Sequence, residues 1–132
     1  MTSKVTYKGN LRTSNEHLQS GNVFITDAPV DNQGNGEAFS PTDTVATALA
    51  SCMLTIMGIK SRDLGIDIEN TYAQVTKHMA ADPRRISKIE VEFFFNGEFS
   101  VKEKTILENA AKTCPVIYSL HPDIEKVITF NY

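Results

Sequence analysis

The chemistry of this chain centres on its two cysteines, Cys52 and Cys114. A cysteine thiolate can attack the O–O bond of a hydroperoxide and become a sulfenic acid, and a second thiol can condense with that acid to form a disulfide. The two residues lie too far apart in the sequence for a CxxC motif, which leaves pairing in space open. Because cysteine is also among the most buried residue types, the competing interpretation is that each thiol is a small apolar filler.

The predicted surroundings of the two cysteines differ. Cys52 lies in the middle of an apolar helix, on the side predicted to face inward. Cys114 precedes Pro115, where one helix stops and a short helical turn begins, so it is a candidate N-cap. Helix N-termini stabilise thiolates and lower the pKa of cysteine. The two thiols can meet if the helices that carry them pack side by side.

Peroxide chemistry also needs a cation that holds the thiolate and an acid that orients the cation. The acid candidate is Asp43, but a twist of ~100° per residue places it on the opposite side of the helix from Cys52. It would therefore brace an arginine, unless it only caps its own helix. The arginines that could supply the cation are Arg12, Arg62, Arg84 and Arg85.

The cation candidates differ in where they are predicted to lie. Arg62 follows Cys52 on the same helix by roughly 15 Å, which is too far for contact. Arg84 and Arg85 lie in a predicted hairpin loop, and Arg12 lies in the opening strands. The residues alone leave the choice among them open.

No motif indicates a metal site. His17, His78 and His121 have no metal-ligand spacing with each other or with the cysteines. The DNQGNG loop has Gln33 at its third position and Thr42 at its twelfth, which argues against a calcium loop. We expect neither a metal nor a cofactor.

Composition limits the class of protein. A chain of 132 residues with 41% hydrophobic and 22% charged residues is typical of one soluble globular domain, residues 1–132. A net charge of −3 gives no basic excess for binding nucleic acid. No apolar run is expected to approach the ~20 residues of a membrane span, and the N-terminus lacks the apolar core of a signal peptide. We therefore expect a cytoplasmic protein without membrane contact, in which a permanent disulfide is unusual.

Hydrophobic patterning predicts an α+β fold with the order β-β-β-α-β-β-α-β. The predicted elements are strands 4–8, 11–17 and 22–26, a loop 27–36, a helix from 41 to a C-cap at Gly65, strands 66–78 and 86–96, a helix 100–113, a helical turn 116–120 and a last strand 124–130. The long helix is apolar on most sides, and its predicted inward face is Val45, Leu49, Cys52, Ile56 and Ile59. Such a helix needs more cover than one small sheet provides, and a two-fold dimer would supply it.

Three segments resemble the family of osmotically inducible protein C (OsmC) and organic hydroperoxide resistance (Ohr) proteins. They are GEAFSPTDTVATALASCMLTIMG around Cys52, KTCPVIYSL around Cys114, and the opening YKGNLRTSNEHLQSGNVFITDAP. The first is similar to the family's Ser/Asn-Pro-x-acid segment and cysteine-bearing helix, and the second to its Cys-Pro segment. The resemblance covers nearly the whole chain.

The resemblance implies an OsmC-like intertwined homodimer, in which antiparallel sheets from both chains wrap two long central helices and the active sites lie at the interface. It also implies reduction of hydroperoxides, organic ones preferentially, by a dithiol reductant such as a lipoylated protein. In this sequence Cys52 matches the peroxidatic cysteine and Cys114 the resolving cysteine. The family's acid maps to Asp43 and its arginine to Arg12.

The acid departs from the family pattern. It is usually Glu, and in the organic-hydroperoxide branch it directly follows the Pro, whereas here Thr42 intervenes before Asp43. This spacing is similar to an OsmC-like branch of the family. The alternative function is therefore a non-catalytic OsmC-like dimer that binds a small apolar ligand or senses redox state, and catalytic turnover distinguishes the two.

Overall fold

The computed structural model describes residues 1–132 and has the predicted α+β element order. Its strands are β1 (Ser3–Gly9), β2 (Arg12–His17), β3 (Val23–Asp27), β4 (Tyr72–Ala80), β5 (Arg85–Phe94) and β6 (Glu125–Asn131). Its helices are α1 (Pro41–Leu64), α2 (Val101–Ala111) and α3 (Pro115–Ser119), with a 3-10 turn at Val30–Asn32. Contacts along the chain define two compact units, residues 1–45 and 46–132. The prediction of a single domain stays a prediction.

The first unit contains the antiparallel sheet β1-β2-β3. Asn10 and Leu11 form the turn between β1 and β2, both with positive φ (53° and 61°), so β2 begins one residue later than predicted. Pairing of β2 with β3 places Arg12 opposite Asp27. This register brings opposite charges together at one end of the sheet.

The α1 helix begins with a reciprocal pair of hydrogen bonds at its N-terminus. The Ser40 backbone N–H donates to Asp43 Oδ2 (2.9 Å), and the Asp43 N–H donates to Ser40 Oγ (3.0 Å). Pro41 fits the first helical position because no hydrogen-bond donor is needed there. The predicted start of the helix is thus confirmed, and α1 runs for 24 residues.

The predicted inward face of α1 is largely wrong. Val45 and Ile59 are exposed, Cys52 and Ile56 are half-buried, and only Leu49 is buried as expected. A helix that is apolar nearly all round carries little directional signal, so its periodicity could not identify the buried side. The buried residues of α1 are Ala46, Leu49, Ala50, Met53, Met57 and Ser61.

By length and composition alone, α1 could cross a membrane. The expectation that no apolar segment approaches that length is therefore wrong. The core helix of a soluble protein passes the same test. The absence of membrane contact stays a prediction.

The second unit contains a sheet of order β4-β5-β6. The β4–β5 pair is antiparallel, as predicted, but β5 and β6 are parallel, so the expectation of purely antiparallel sheets needs correction. The segment between β5 and β6 contains α2 and α3, and only a long crossover of this kind allows parallel pairing. The α+β class and the OsmC-like fold stand. The second long helix of the predicted dimer would come from another copy, and that dimer stays a prediction.

The β4 strand begins at Tyr72, six residues later than the predicted start at Ile66. A turn occupies the intervening segment: the Glu69 N–H donates to Asp67 Oδ1 (2.7 Å), and the Thr71 N–H donates to the Ile68 carbonyl (3.0 Å). Asp commonly forms turns of this kind with its own backbone. Local side-chain bonding therefore overrides the strand propensity of the apolar residues.

The core of the second unit lies where α1 and α2 contact the sheet. Ile89, Val91 and Phe93 alternate along β5 and are buried in one cluster with Met53 of α1 and Leu107 of α2. The period of two along β5 sends its polar residues to the opposite face. Because Cys114 belongs to the same cluster, the packing of α1 against the α2–α3 segment brings the cysteine-bearing elements together.

Candidate active site

Cys114 lies at the start of α3, where it is fully buried (0% exposed). It is the N-cap of this helix, as predicted: its Sγ accepts a hydrogen bond from the Ile117 backbone N–H at 3.3 Å. Pro115 occupies the first helical position and prevents α2 from continuing into α3. The sequence Cys-Pro therefore produces the break that turns the thiol into the core.

Cys52 lies near the middle of α1 and is half-buried. Its side chain packs against the core cluster that contains Cys114, and the two thiols are close enough for Cys52 to raise the pKa of Cys114. Both cysteines are free thiols. The structure thus brings together two residues that are distant in the sequence.

The environment of Cys114 disfavours its thiolate. Burial raises the pKa of the Cys114 thiol above its ordinary value, and the adjacent Cys52 raises it further. Backbone N–H groups of Ile117 and Val116 act in the opposite direction and offset part of this effect. Desolvation dominates because a buried anion loses its hydration. The pKa of Cys114 is therefore shifted in the direction opposite to the lowering that a helix N-terminus produces.

Arg12 forms a charged cluster with two carboxylates of the first unit. Its Nε and Nη2 donate to Asp27 Oδ1 and Oδ2 at 2.7 and 2.9 Å, and Nη2 also donates to Glu37 Oε2 at 3.1 Å. The Glu37 backbone N–H donates to Asp27 Oδ2 at 3.2 Å. Asp27 is almost fully buried (1% exposed), while the Arg12 side chain is 33% exposed. Fork-shaped contacts of this kind hold a guanidinium in one orientation.

The hydrogen bonds of this cluster change the pKa values of Arg12 and Asp27. The hydrogen bond from Arg12 lowers the pKa of Asp27, and the two carboxylates raise the pKa of Arg12. Analysis of the sequence missed Asp27 and Glu37. Opposite charges directly across an antiparallel pair are a recognisable signal, but it can be read only once the register of β2 and β3 is known.

The other predicted site residues have structural contacts of their own. Asp43 forms the reciprocal hydrogen bonds with Ser40 that start α1, so the capping role considered for it is present. Arg85, one of the cation candidates and the first residue of β5, donates to the carbonyls of Ala81 and Pro83 in the adjoining hairpin loop, at 2.9 and 2.8 Å. Catalytic roles for Asp43 and Arg12 stay predictions.

A family model described as OsmC-like protein matches residues 34–128, which include both cysteines and Asp43. The chain belongs to the OsmC family. A search of curated proteins gives no match.

Solved structures agree with this assignment. One is a protein from Psychrobacter arcticus 273-4, provisionally described as an osmotic stress induced and detoxification response protein. It is 62% identical to this chain, the match covers 99% of this chain and 96% of that one, and the TM-score is 0.97. The organic hydroperoxide resistance protein OsmC of Legionella pneumophila is 14% identical over 100% and 98% of the two chains, with a TM-score of 0.78. An OsmC-like protein from Mycoplasma pneumoniae is 15% identical over 98% and 94%, with a TM-score of 0.81. The last two similarities show the fold alone.

Proposed function

We propose that this OsmC-family chain is a thiol peroxidase in which Cys52 reacts with the hydroperoxide and Cys114 resolves the product. The observation that carries the proposal is a pair of neighbouring thiols with unequal exposure: Cys52 is half-buried, whereas Cys114 is fully buried. A hydroperoxide from solvent can approach only the first. The second is in contact with it and ready to condense.

The reaction balances with these two residues alone. The Cys52 thiolate attacks one peroxide oxygen, the O–O bond breaks, and the alcohol leaves after taking a proton, so that Cys52 becomes a sulfenic acid. The Cys114 sulfur then attacks the Cys52 sulfur and water leaves, forming the Cys52–Cys114 disulfide. A dithiol, such as that of a lipoylated protein, returns both cysteines to thiols.

Organic hydroperoxides are the proposed substrate class. Ala48 and Ile56 lie one turn to either side of Cys52 on α1, and both are apolar. An apolar approach to the sulfur would bind an alkyl group and exclude water. Arg12, held in one orientation by Asp27, is the proposed cation, with Asp43 as the proposed acid.

A homodimer is the proposed assembly, as the family resemblance implies. The β1-β2-β3 sheet exposes apolar side chains on both faces: Val5, Tyr7 and Phe24 on one, and Val23 and Ile25 on the other. Exposed apolar surface of this kind marks interaction sites. We propose a cytoplasmic location for the dimer, where dithiol reductants are available.

The decisive experiment mixes reduced protein with about one equivalent of cumene hydroperoxide and maps disulfides by mass spectrometry of non-reduced peptides. We expect a rapid Cys52–Cys114 disulfide, absent from the untreated control, and repeated turnover when dihydrolipoamide is added. The Cys52→Ser variant should lose both, because a hydroxyl does not ionise near neutral pH. Two thiols left free in the wild-type protein would refute the proposal.

The second candidate is a non-catalytic OsmC-like dimer that binds a small apolar ligand or senses redox state. It is favoured by the engagement of the proposed catalytic groups elsewhere, since Arg12 binds Asp27 and Glu37 and Asp43 caps α1. A sensor would form the disulfide once with peroxide and show no turnover with dihydrolipoamide. The same experiment therefore separates the two candidates.

A further inference from the structure

We propose that the dithiol reductant opens the Cys52–Cys114 disulfide by attacking the Cys52 sulfur, so that Cys114 is always the leaving group. This rests on the proposed function, because it concerns the step that restores the two thiols. It assigns the transient mixed disulfide with the reductant to α1 and leaves α3 untouched. The two ends of the disulfide are chemically alike, so any preference must come from the fold.

Accessibility is the first reason. Thiol–disulfide exchange requires the attacking thiolate to reach the sulfur that it bonds to. Cys114 is 0% exposed and lies in the core cluster with Leu107 and Ala111 of α2. Cys52 lies at the margin of the same cluster and remains half-buried. Within one chain, the exposed part of Cys52 therefore offers a sulfur that a reductant can reach, whereas an attack on Cys114 requires opening of the core.

The charge that develops on the leaving sulfur is a second consideration, and it partly opposes this direction of attack. As the S–S bond breaks, the electron pair passes to the sulfur that is not attacked. The Ile117 N–H points at Cys114 Sγ (3.3 Å), and the Val116 N–H also favours a negative sulfur there. Preorganised backbone donors stabilise charge where it appears in a transition state. Burial outweighs these amides and raises the pKa of Cys114. The direction of attack therefore rests on accessibility, and the amides only reduce the cost of placing negative charge on Cys114.

The complete step balances in atoms and electrons. The first reductant thiolate bonds to the Cys52 sulfur and Cys114 leaves as a thiolate, which then takes up a proton. The second reductant thiolate attacks the reductant sulfur of the mixed disulfide, and Cys52 leaves. The reductant is oxidised to a disulfide, and both protein sulfurs are reduced to thiols.

The test uses the wild-type chain oxidised with diamide, so that peroxidase activity is not required. The disulfide form is exposed briefly to the monothiol N-acetylcysteine, quenched with acid, and digested with pepsin at low pH to stop exchange. Mass spectrometry then compares the N-acetylcysteine adduct on Cys52 with that on Cys114. Extrapolated to zero time, we expect an excess on Cys52 of at least about tenfold.

The matched control repeats the reaction in concentrated urea, where loss of the fold should divide the adducts about equally. Adducts on Cys114, or an even division in the native protein, would overturn the inference and leave the peroxidase proposal standing. Failure of diamide to form the disulfide would overturn both. These outcomes therefore distinguish the two proposals.

A pair of variants tests the contribution of the amide. Ile117→Pro removes both the side chain and the N–H, whereas Ile117→Ala removes only the side chain, and proline is tolerated in the first turn of a helix. We expect N-acetylcysteine to open the disulfide at least about threefold more slowly in Ile117→Pro than in Ile117→Ala. Equal rates would show that leaving-group stabilisation plays no part.

Discussion

The raised pKa of Cys114 predicts how the resolving step depends on pH. Condensation with the Cys52 sulfenic acid requires the Cys114 thiolate, because the thiolate is the nucleophile. Burial in the core and the adjacent Cys52 both disfavour that anion, and the Ile117 N–H offsets only part of the effect. The experiment therefore measures the rate of disulfide formation in single turnovers at different pH values.

The magnitude follows from the fraction of Cys114 that is ionised. A thiol at the ordinary value of 9.0 is ionised to about 1% at pH 7, and a raised pKa makes the fraction smaller. Below the pKa the thiolate fraction increases about tenfold with each pH unit. We expect the rate of disulfide formation to rise by about this factor per unit from pH 6 to 9, without reaching a plateau.

The assay is a quenched-flow single turnover with excess cumene hydroperoxide, which makes the oxidation of Cys52 fast. Acid quenching and mass spectrometry follow the appearance of the Cys52–Cys114 disulfide at each pH. Cys114→Ser is the control, since it isolates the first oxidation and its own pH dependence. A resolving rate that levels off below pH 8 would mean that Cys114 ionises more readily than its burial dictates, and the reasoning would be refuted.

Three further predictions concern single residues. Cys114→Ser should allow one oxidation and then stall with sulfenic or sulfinic acid on Cys52, as detected by mass spectrometry, because serine cannot resolve the sulfenic acid; undiminished multiple turnover would contradict this. Arg12→Lys should lower kcat/KM for cumene hydroperoxide at least about tenfold, because lysine cannot form the two parallel hydrogen bonds of a guanidinium. The control Arg62→Lys should change kcat/KM little. Equal effects of the two substitutions would show that Arg12 has no role in the reaction. Ser100→Ala removes the reciprocal hydrogen bonds between Ser100 and Glu103 at the start of α2. It should lower the free energy of unfolding, measured in urea, by about 1 kcal/mol without changing the rate of disulfide formation. An unchanged midpoint of urea unfolding would show that the cap is dispensable.

Local signals in the sequence were sufficient for the order and type of the elements. The hydroxyl of Ser40 followed by Pro41 marks the start of α1, and Pro115 marks the break between α2 and α3. The residues of β5 were predicted to form a strand, and alternate residues along it are buried. Each of these features acts within a few residues of the chain. The boundary of β4 was missed because the Asp67 turn competes locally with strand formation.

The sequence also determined, by resemblance, that Cys52 and Cys114 are the residues to examine, and the match to the OsmC family confirms that membership. Their contact was not predictable from spacing. It depends on how α1 packs against the α2–α3 segment, and the apolar surface of α1 is too uniform to indicate which side is buried.

Tertiary structure alone decided the partners of charged groups and the direction of β6. Arg12 binds Asp27 because of strand register, which relates residues distant in the chain. The β6 strand runs parallel to β5 because α2 and α3 form a crossover between them. The structure likewise decided between the two interpretations of Cys114: burial in the surrounding core raises the pKa of its thiol and outweighs the two backbone amides that lower it.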